Sequence, residues 1–377
     1  MKYLGICLFI WASFNTSWAG AAEKAAWIGK LDLDTAPKLF TTPNPTGRQE
    51  FSELINEAKT SVKLYMYRLT DNFMISVMKK AAARGVKVQV LLDPVKLKEA
   101  SMQSKLKNME AGGIEVRGGS SAYSMTHAKS MLVDGKRVIV STMNLTWTFR
   151  DSRGFGLVFE DASVRDEIER MFDADWRLAG GENVDVPEPQ DANLIWTPGN
   201  SEAKLIDLVR ASERSIEIVV ENLGMTPFLD ELIAAQGRGV KVRVIVPLCT
   251  TSSKPIHNAY FAEKLLAAKV DVRNVPMPHS EKLPYSHAKM MAVDGRYVYL
   301  GSQNFSKNSL QKSRELGIIT EDVALYGEII RLWNDDWSVA VPQPAKTTDE
   351  MCPLPEWGKQ KKKPAPQPED KKTPDAA

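Results

Sequence analysis

The chain has 377 residues, 43% of them hydrophobic and 25% charged, the balance of an ordinary globular protein with material for one large or two medium domains. Lysine and arginine number 49 against 47 aspartates and glutamates, for a formal charge of +2. That excludes a bulk electrostatic claim on nucleic acid, so any phosphate recognition has to be local.

The sequence opens with Lys2, an apolar run over 3–14 and the tripeptide Ser17-Trp18-Ala19, which reads as a secretory signal peptide over residues 1–19. The run is too short to span a bilayer by itself, so the mature chain is expected to be secreted or periplasmic. Cleavage removes Lys2 and Cys7 and leaves Cys249 and Cys352. In an exported protein these are either a disulfide or two free thiols.

An internal repeat then organises the chain. SVKLYMY (61–67) matches SIEIVVE (215–221), and RGVKVQVLLDP (84–94) matches RGVKVRVIVPL (238–248), both at an offset of 154. Helical patterns at 71–83 and 225–237 lie between these strands, and Gly85 and Gly239 end them as glycines just past a helix do. A further helix (96–111; 256–268) and a short strand (114–117; 270–273) follow in each copy, and each copy closes with a strand and a helix ending in Asp175-Trp176 or Asp336-Trp337. The predicted fold class is α/β, with repeats over 40–184 and 192–340 joined by the polar connector VDVPEPQDANL. From 342 to 377 the chain turns charged and Pro-rich, and it is predicted to be disordered. Its lysine cluster (Lys359, Lys361, Lys362, Lys363) is a candidate for contact with an anionic membrane surface, against the simpler reading of a solvated tail.

The chemistry is concentrated in one motif of each copy. SMTHAKSMLVDGKRVIVSTMN (124–144) carries His127, Lys129, Asp134, Thr142 and Asn144, and PYSHAKMMAVDGRYVYLGSQN (284–304) carries His287, Lys289, Asp294, Ser302 and Asn304 at the same separations. Only four histidines occur in the chain, so two of them sharing one motif position is not chance placement. Each motif reads as a β-hairpin with an Asp-Gly turn. Strand alternation then lets each hairpin present an imidazole, an ammonium, a hydroxyl and an amide on one face. Asp134 and Asp294 suit turn geometry as well as a direct chemical role. His257 and His279 stand outside the motifs and read as surface or loop residues.

His-x-Lys-x4-Asp followed by Gly-Ser-x-Asn, present twice, resembles the phospholipase D superfamily over roughly residues 40–340. The resemblance implies two pseudo-symmetric repeats, each a mixed sheet flanked by helices, forming one bilobal unit with a single site between them. It also implies phosphodiester chemistry without a metal or other cofactor, through a phosphohistidine. His127 is then the expected nucleophile and His287 the expected general acid, with Lys129, Asn144, Lys289 and Asn304 gripping phosphate. The upstream motif departs from the family in having Ser141-Thr142 for Gly-Ser. Glu315, an acid expected to hold a histidine through its second ring nitrogen, stands opposite Gly154 in the first copy.

The residues support that chemistry without the name. Double displacement at phosphorus needs a nucleophile and a general acid on opposite sides, with cations and donors on the nonbridging oxygens. Two imidazoles, two ammoniums and two amides supply these parts, and Lys and Asn stand where a metal site would need further ligands. Trp147, Phe149 and Phe305 follow the asparagines, where they suit stacking on bases, contact with acyl chains or core packing. The expected activity is that of an exported, monomeric phosphoric diester hydrolase with phospholipid as favoured substrate. The alternatives are a metal-independent endonuclease, a phosphatidyl transferase and a binding protein without turnover.

Overall fold

The computed structural model describes residues 37–352, apart from 45–46, 148–150, 225, 251–256, 277–278 and 280–282. The proposed signal peptide and the lysine cluster of the tail lie outside the described residues.

The first copy comprises β1 (Lys38–Thr42), α1 (Gly47–Glu57), β2 (Ser61–Met66), α2 (Asn72–Ala83), β3 (Lys87–Leu92), α3 (Pro94–Leu97), α4 (Ala100–Ala111), β4 (Glu115–Gly118), the hairpin β5 (Ser130–Val133) and β6 (Arg137–Ser141), β7 (Ser152–Phe159) and α5 (Ala162–Ala179). The second repeats the plan with β8 (Leu194–Thr197), α6 (Ser201–Arg210), β9 (Ser215–Val220), α7 (Pro227–Gly237), β10 (Lys241–Pro247), α8 (Ala259–Ala267) and β11 (Asp271–Val275). It continues with β12 (Tyr285–Ser286), the hairpin β13 (Lys289–Val293) and β14 (Tyr297–Gly301), α9 (Lys307–Gln311), β15 (Glu315–Glu321), α10 (Val323–Val339) and β16 (Val341–Pro342). Strand order is β1-β7-β6-β5-β2-β3-β4 in one sheet and β8-β15-β14-β13-β9-β10-β11-β16 in the other, the same mixed topology twice. The fold is therefore the two-lobed α/β arrangement that the sequence predicts.

Local chemistry places the elements. Asp71 caps α2 by accepting from Phe73 N and Met74 N, and Thr226 caps α7 ahead of Pro227. Gly85 and Gly239 follow these two helices at φ +90° and +93°, where a side chain would be strained. Asp134-Gly135 and Asp294-Gly295 all have positive φ, the backbone of a two-residue hairpin turn. The predicted helix over 96–111 is divided, because Glu99 lies in extended backbone as the N-cap of α4.

Three apolar clusters hold the body. Two fill the outer faces of the sheets beneath helices such as α1 and α2, or α6 and α7. The third is shared, drawing Leu132, Val140 and Phe155 from the first sheet, Met290, Val298 and Ile318 from the second, and Phe172 and Trp333 from α5 and α10. The lobes are thus joined by a common core rather than by a polar seam.

The expectation of disorder from residue 342 is corrected in its first part. β16 pairs with β11, Gln343 N donates to Val272 O, and Cys352 forms a disulfide with Cys249 at the end of β10. Those backbone and covalent ties hold a segment whose composition alone does not.

Candidate active site

The two histidines are delivered by an exchange between the lobes. Thr126 forms a parallel bridge with Arg314 of the second copy, while β12, just ahead of His287, adds in parallel to β7 of the first. Consequently His127 N donates to Arg314 O at 2.8 Å and His287 N to Arg153 O at 2.9 Å. The same two arginines cross the joint with their side chains. Arg314 Nε meets Asp175 of α5 at 2.6 Å, and Arg153 forks onto Asp336 of α10 at 2.8 and 2.7 Å. Each histidine is therefore fixed by a carbonyl whose own residue is pinned to the opposite lobe.

Both rings open into one cleft of about 810 Å³, lined also by Asn144, Asn304, Glu221 and Glu315. His127 Nδ1 lies 2.8 Å from Glu315 Oε2. A carboxylate only accepts, so Nδ1 carries the proton and Nε2 keeps its lone pair. His287 Nδ1 lies 2.9 Å from the backbone carbonyl of Thr142, which fixes its Nδ1 proton in the same way. The difference between the rings follows from Gly154. An acid there, opposite Glu315, has no room, since even a Cβ would come 2.4 Å from Met143 Cγ.

Burial acts on both histidines and both lysines. It pushes the pKa of His127 down, against Glu315, with Lys129 adding to the fall. It pushes His287 down to about 3 against the pull of Glu221, with Lys289 and Lys129 again lowering it. Lys129 is held well below the ordinary lysine range by burial and by Lys289, and burial also lowers Lys289 in spite of Glu221. Both ammoniums are sealed beneath the cleft floor. Lys129 Nζ donates to His127 O at 2.6 Å, and Lys289 Nζ to His287 O at 2.8 Å.

The structure brings His127, Lys129, Asn144, His287, Lys289, Asn304 and Glu315 to this one place, and sorts the supporting residues differently. Thr142 and Ser302 do not present hydroxyls to the cleft. Thr142 Oγ1 accepts from Phe155 N at 3.0 Å and Ser302 Oγ bonds Leu316 O and Leu316 N, closing the ladder to the next strand. Asp134 and Asp294 lie away from the site. Asp134 accepts from the amides of Lys59, Thr60 and Ser61, and Asp294 from those of Glu213, Arg214 and Ser215; both fasten the loop ahead of a central strand. His257 and His279, read from sequence as surface or loop residues, are loop residues that line the cleft wall. Phe305 is core, tilted onto Phe228 at 4.4 Å, Trp147 is exposed at the rim, and Phe149 lies outside the described residues.

One residue was not anticipated. Glu221 Oε2 takes Lys289 Nζ at 2.8 Å and lies 3.3 Å from His287 Nε2, while Oε1 accepts from Tyr285 OH at 2.8 Å. Burial raises its pKa, but His287 and Lys289 outweigh that and hold it far below the usual carboxylate range. Its signal in the sequence was a mismatch, an acid at the end of an apolar strand where the first copy has Tyr67.

A family model described as "Cardiolipin synthase, PLD-like domain" matches residues 51–176 and 205–337. The chain belongs to the phospholipase D superfamily. Among relatives of this phospholipase D-like chain, a "Phospholipase D" of Rickettsia bellii is 32% identical over 142 residues, 37% of this chain and 68% of that protein. A "Probable cardiolipin synthase YwiE" of Bacillus subtilis is 23% identical over 336 residues, 78% of this chain and 64% of that protein; the chain thus spans less than two thirds of the latter. A solved phosphatidylserine synthase of Haemophilus influenzae superposes with TM-score 0.67 at 13% identity, covering 88% of this chain and 92% of that one, a likeness of fold. Among the described residues no helix is long and apolar enough to cross a membrane.

Proposed function

We propose that the protein is an exported phospholipase D-like phosphodiesterase that hydrolyses phospholipid phosphodiester bonds through a phosphohistidine. The observation that carries the reading is the pair of imidazoles with Nδ1 tied back, one to Glu315 and one to the Thr142 carbonyl, and Nε2 turned to a shared cleft. His127 Nε2 attacks phosphorus as the leaving oxygen takes a proton from His287 Nε2. His287 then deprotonates a water, which attacks the phosphohistidine and releases phosphatidic acid. Asn144 and Asn304 hold the nonbridging oxygens, and the buried ammoniums of Lys129 and Lys289 stabilise from beneath the charge that builds there. The negative phosphodiester, on entering, favours the charged form of His287 that burial suppresses in the empty site.

A lipid is favoured over a nucleic acid by the cleft walls. Among the described residues that line the cleft, Arg68 is the one arginine and there is no lysine, and Arg68 is paired with Glu99; Asp151, Glu221 and Glu315 stand against it. That is room for one phosphodiester, not a basic groove for a polyanion. The leader and the Cys249–Cys352 disulfide both support an oxidising, extracytoplasmic location. The cardiolipin synthases among the relatives favour a second reading, transfer to a lipid alcohol in place of water. The test offers purified protein labelled phospholipid vesicles and labelled single-stranded DNA in parallel, with chelator present. Phosphatidic acid is the expected product; a new diphosphatidyl lipid would establish transfer, and cleavage of DNA alone would overturn the lipid reading.

A further inference from the structure

Glu221 has no counterpart that the fold demands. In the first copy Lys129 makes do with the His127 carbonyl and the ring of Tyr67, 5.5 Å away. A buried lysine beside the histidine therefore does not require a carboxylate at this position, and the acid in the second copy calls for a reason of its own.

Its position supplies one. In the proposed reaction the leaving oxygen has to come within hydrogen-bond reach of His287 Nε2, and Glu221 Oε2 lies 3.3 Å from that atom. The carbon atoms next to the leaving oxygen must then pass against the Glu221 carboxylate. A carboxylate has about four acceptor sites. Lys289 and His287 face Oε2, and Tyr285 OH takes one site on Oε1. Among the described residues nothing takes the second site on Oε1, and Glu221 lines the cleft.

His279 extends the same character. Its Nδ1 lies 3.1 Å from Pro276 O, so Nδ1 donates and Nε2 is left as an acceptor. Its ring lies 5.3 Å from that of Tyr285, and it too lines the cleft. Burial keeps it neutral by lowering its pKa. Among the described residues, the wall beside the leaving group thus offers two acceptors, Glu221 Oε1 and His279 Nε2, with one hydroxyl already spent on the carboxylate.

Resting on the reading of this site as a phospholipid phosphodiesterase, we propose that Glu221, with His279, selects the head group by accepting a second hydrogen-bond donor, hydroxyl or ammonium, carried by the alcohol that leaves from phosphorus. Head groups that offer such a donor fill the open acceptor site; those without one leave a partly buried carboxylate lone pair dry, which is the costlier state. Neither a simple alkyl head nor a quaternary ammonium satisfies it.

The test compares four phospholipids of identical acyl chains, each a minor guest in one mixed-micelle matrix. Glycerol and ethanolamine heads carry donors; choline and ethanol heads carry none. Wild-type kcat/KM is expected to favour the first two by about tenfold or more, the size of a lost bond to a charged group. The glycerol and ethanolamine arms tell hydroxyl from ammonium. Glu221→Gln should collapse the preference to within about threefold whatever its effect on absolute rate, and His279→Phe, which keeps the ring, should reduce it in part. An equal loss on all four lipids in Glu221→Gln would mean an ion-pair role beneath Lys289 only and would overturn the proposal, as would no preference in the wild type. Turnover of a nitrophenyl phosphodiester with none of any lipid would overturn the lipid reading itself, and this inference with it.

Discussion

The pairing of Arg314 with Asp175 gives the sharpest test of how the two lobes hold the site. Both side chains are almost fully buried, at 3% and 5% exposure, and Asp175 also accepts from Tyr65 OH at 2.6 Å and Tyr123 OH at 2.9 Å. Asp175→Asn preserves shape but leaves the guanidinium uncompensated, an effect of about 3–5 kcal/mol. The related pair is less enclosed, with Arg153 at 14% exposure and holding Thr42 O besides. Asp336→Asn should therefore cost less, about 1–3 kcal/mol. At roughly 2–4 °C per kcal/mol for a body of this size, the first variant should melt about 6–20 °C below wild type and the second several degrees higher than the first. Calorimetry or circular dichroism reads both. Replacing the pair together, Asp175→Leu with Arg314→Met, should recover part of the loss, because no lone buried charge remains although the hydroxyls of Tyr65 and Tyr123 lose their acceptor. The Arg314 carbonyl that holds His127 survives that double change, so activity should return with stability. Equal melting of the two Asn variants, or a double variant no better than Asp175→Asn, would refute the reasoning.

Three other outcomes follow from the site. Glu315→Gln can donate to His127 Nδ1 and move the proton to Nε2, so kcat should fall by about a thousandfold or more with little change in KM, and alkaline-quenched protein should lose its label on His127; a loss under tenfold would remove Glu315 from the mechanism. Because the acid form of His287 is needed and burial has pushed its pKa to about 3, kcat/KM should decline as pH rises through roughly 4 to 8 and peak below the ordinary histidine value of ~6.5, and a profile that climbs across that window would count against His287 as the general acid. Gly154→Ala places a Cβ 2.4 Å from Met143 Cγ and 3.0 Å from Thr42 Oγ1, which should cost about 1–3 kcal/mol of stability as measured by urea unfolding.

The repeat and the paired motifs were legible because two copies of one pattern reinforce each other, and the order strand, helix, strand, helix, strand, hairpin, strand, helix could be read from either. What lay beyond reach was contact between copies. The parallel addition of β12 to β7 involves two residues, too few for any periodic signal, though the Ser-Arg shared by 152–153 and 313–314 and the Asp-Trp at each helix end marked the partners of the crossing. β1 and β8 are edge strands of 5 and 4 residues, too short to stand out. The hydroxyls of Thr142 and Ser302 were misjudged because alternation gives the face of a side chain but not the bond it prefers, and here a bare backbone amide lay nearer than the cleft. His257 and His279 belong to loops, which no pattern places.

The two copies contribute equal backbone devices and unequal side chains. Each histidine amide is held by an arginine carbonyl of the other lobe, so both rings are positioned with the same care, and neither copy alone could position its own. The acids paired with the two rings, by contrast, both come from the second copy, Glu315 and Glu221, against Gly154 and Tyr67 in the first. Glu315 lies behind its ring at Nδ1 and leaves the lone pair of His127 Nε2 facing the cleft. Glu221 lies in front, beside Nε2 of His287, where its charge favours a proton on that atom. One carboxylate thus favours a base and the other an acid, from the side of the ring each occupies. That difference supports the proposed assignment of nucleophile and general acid better than the motifs do, since the motifs are alike. It also explains why a duplicated fold would keep its two halves distinct: a second carboxylate behind His287 would demand the space that Met143 fills, and a carboxylate beside His127 Nε2 would compete with phosphorus for the nucleophile's approach.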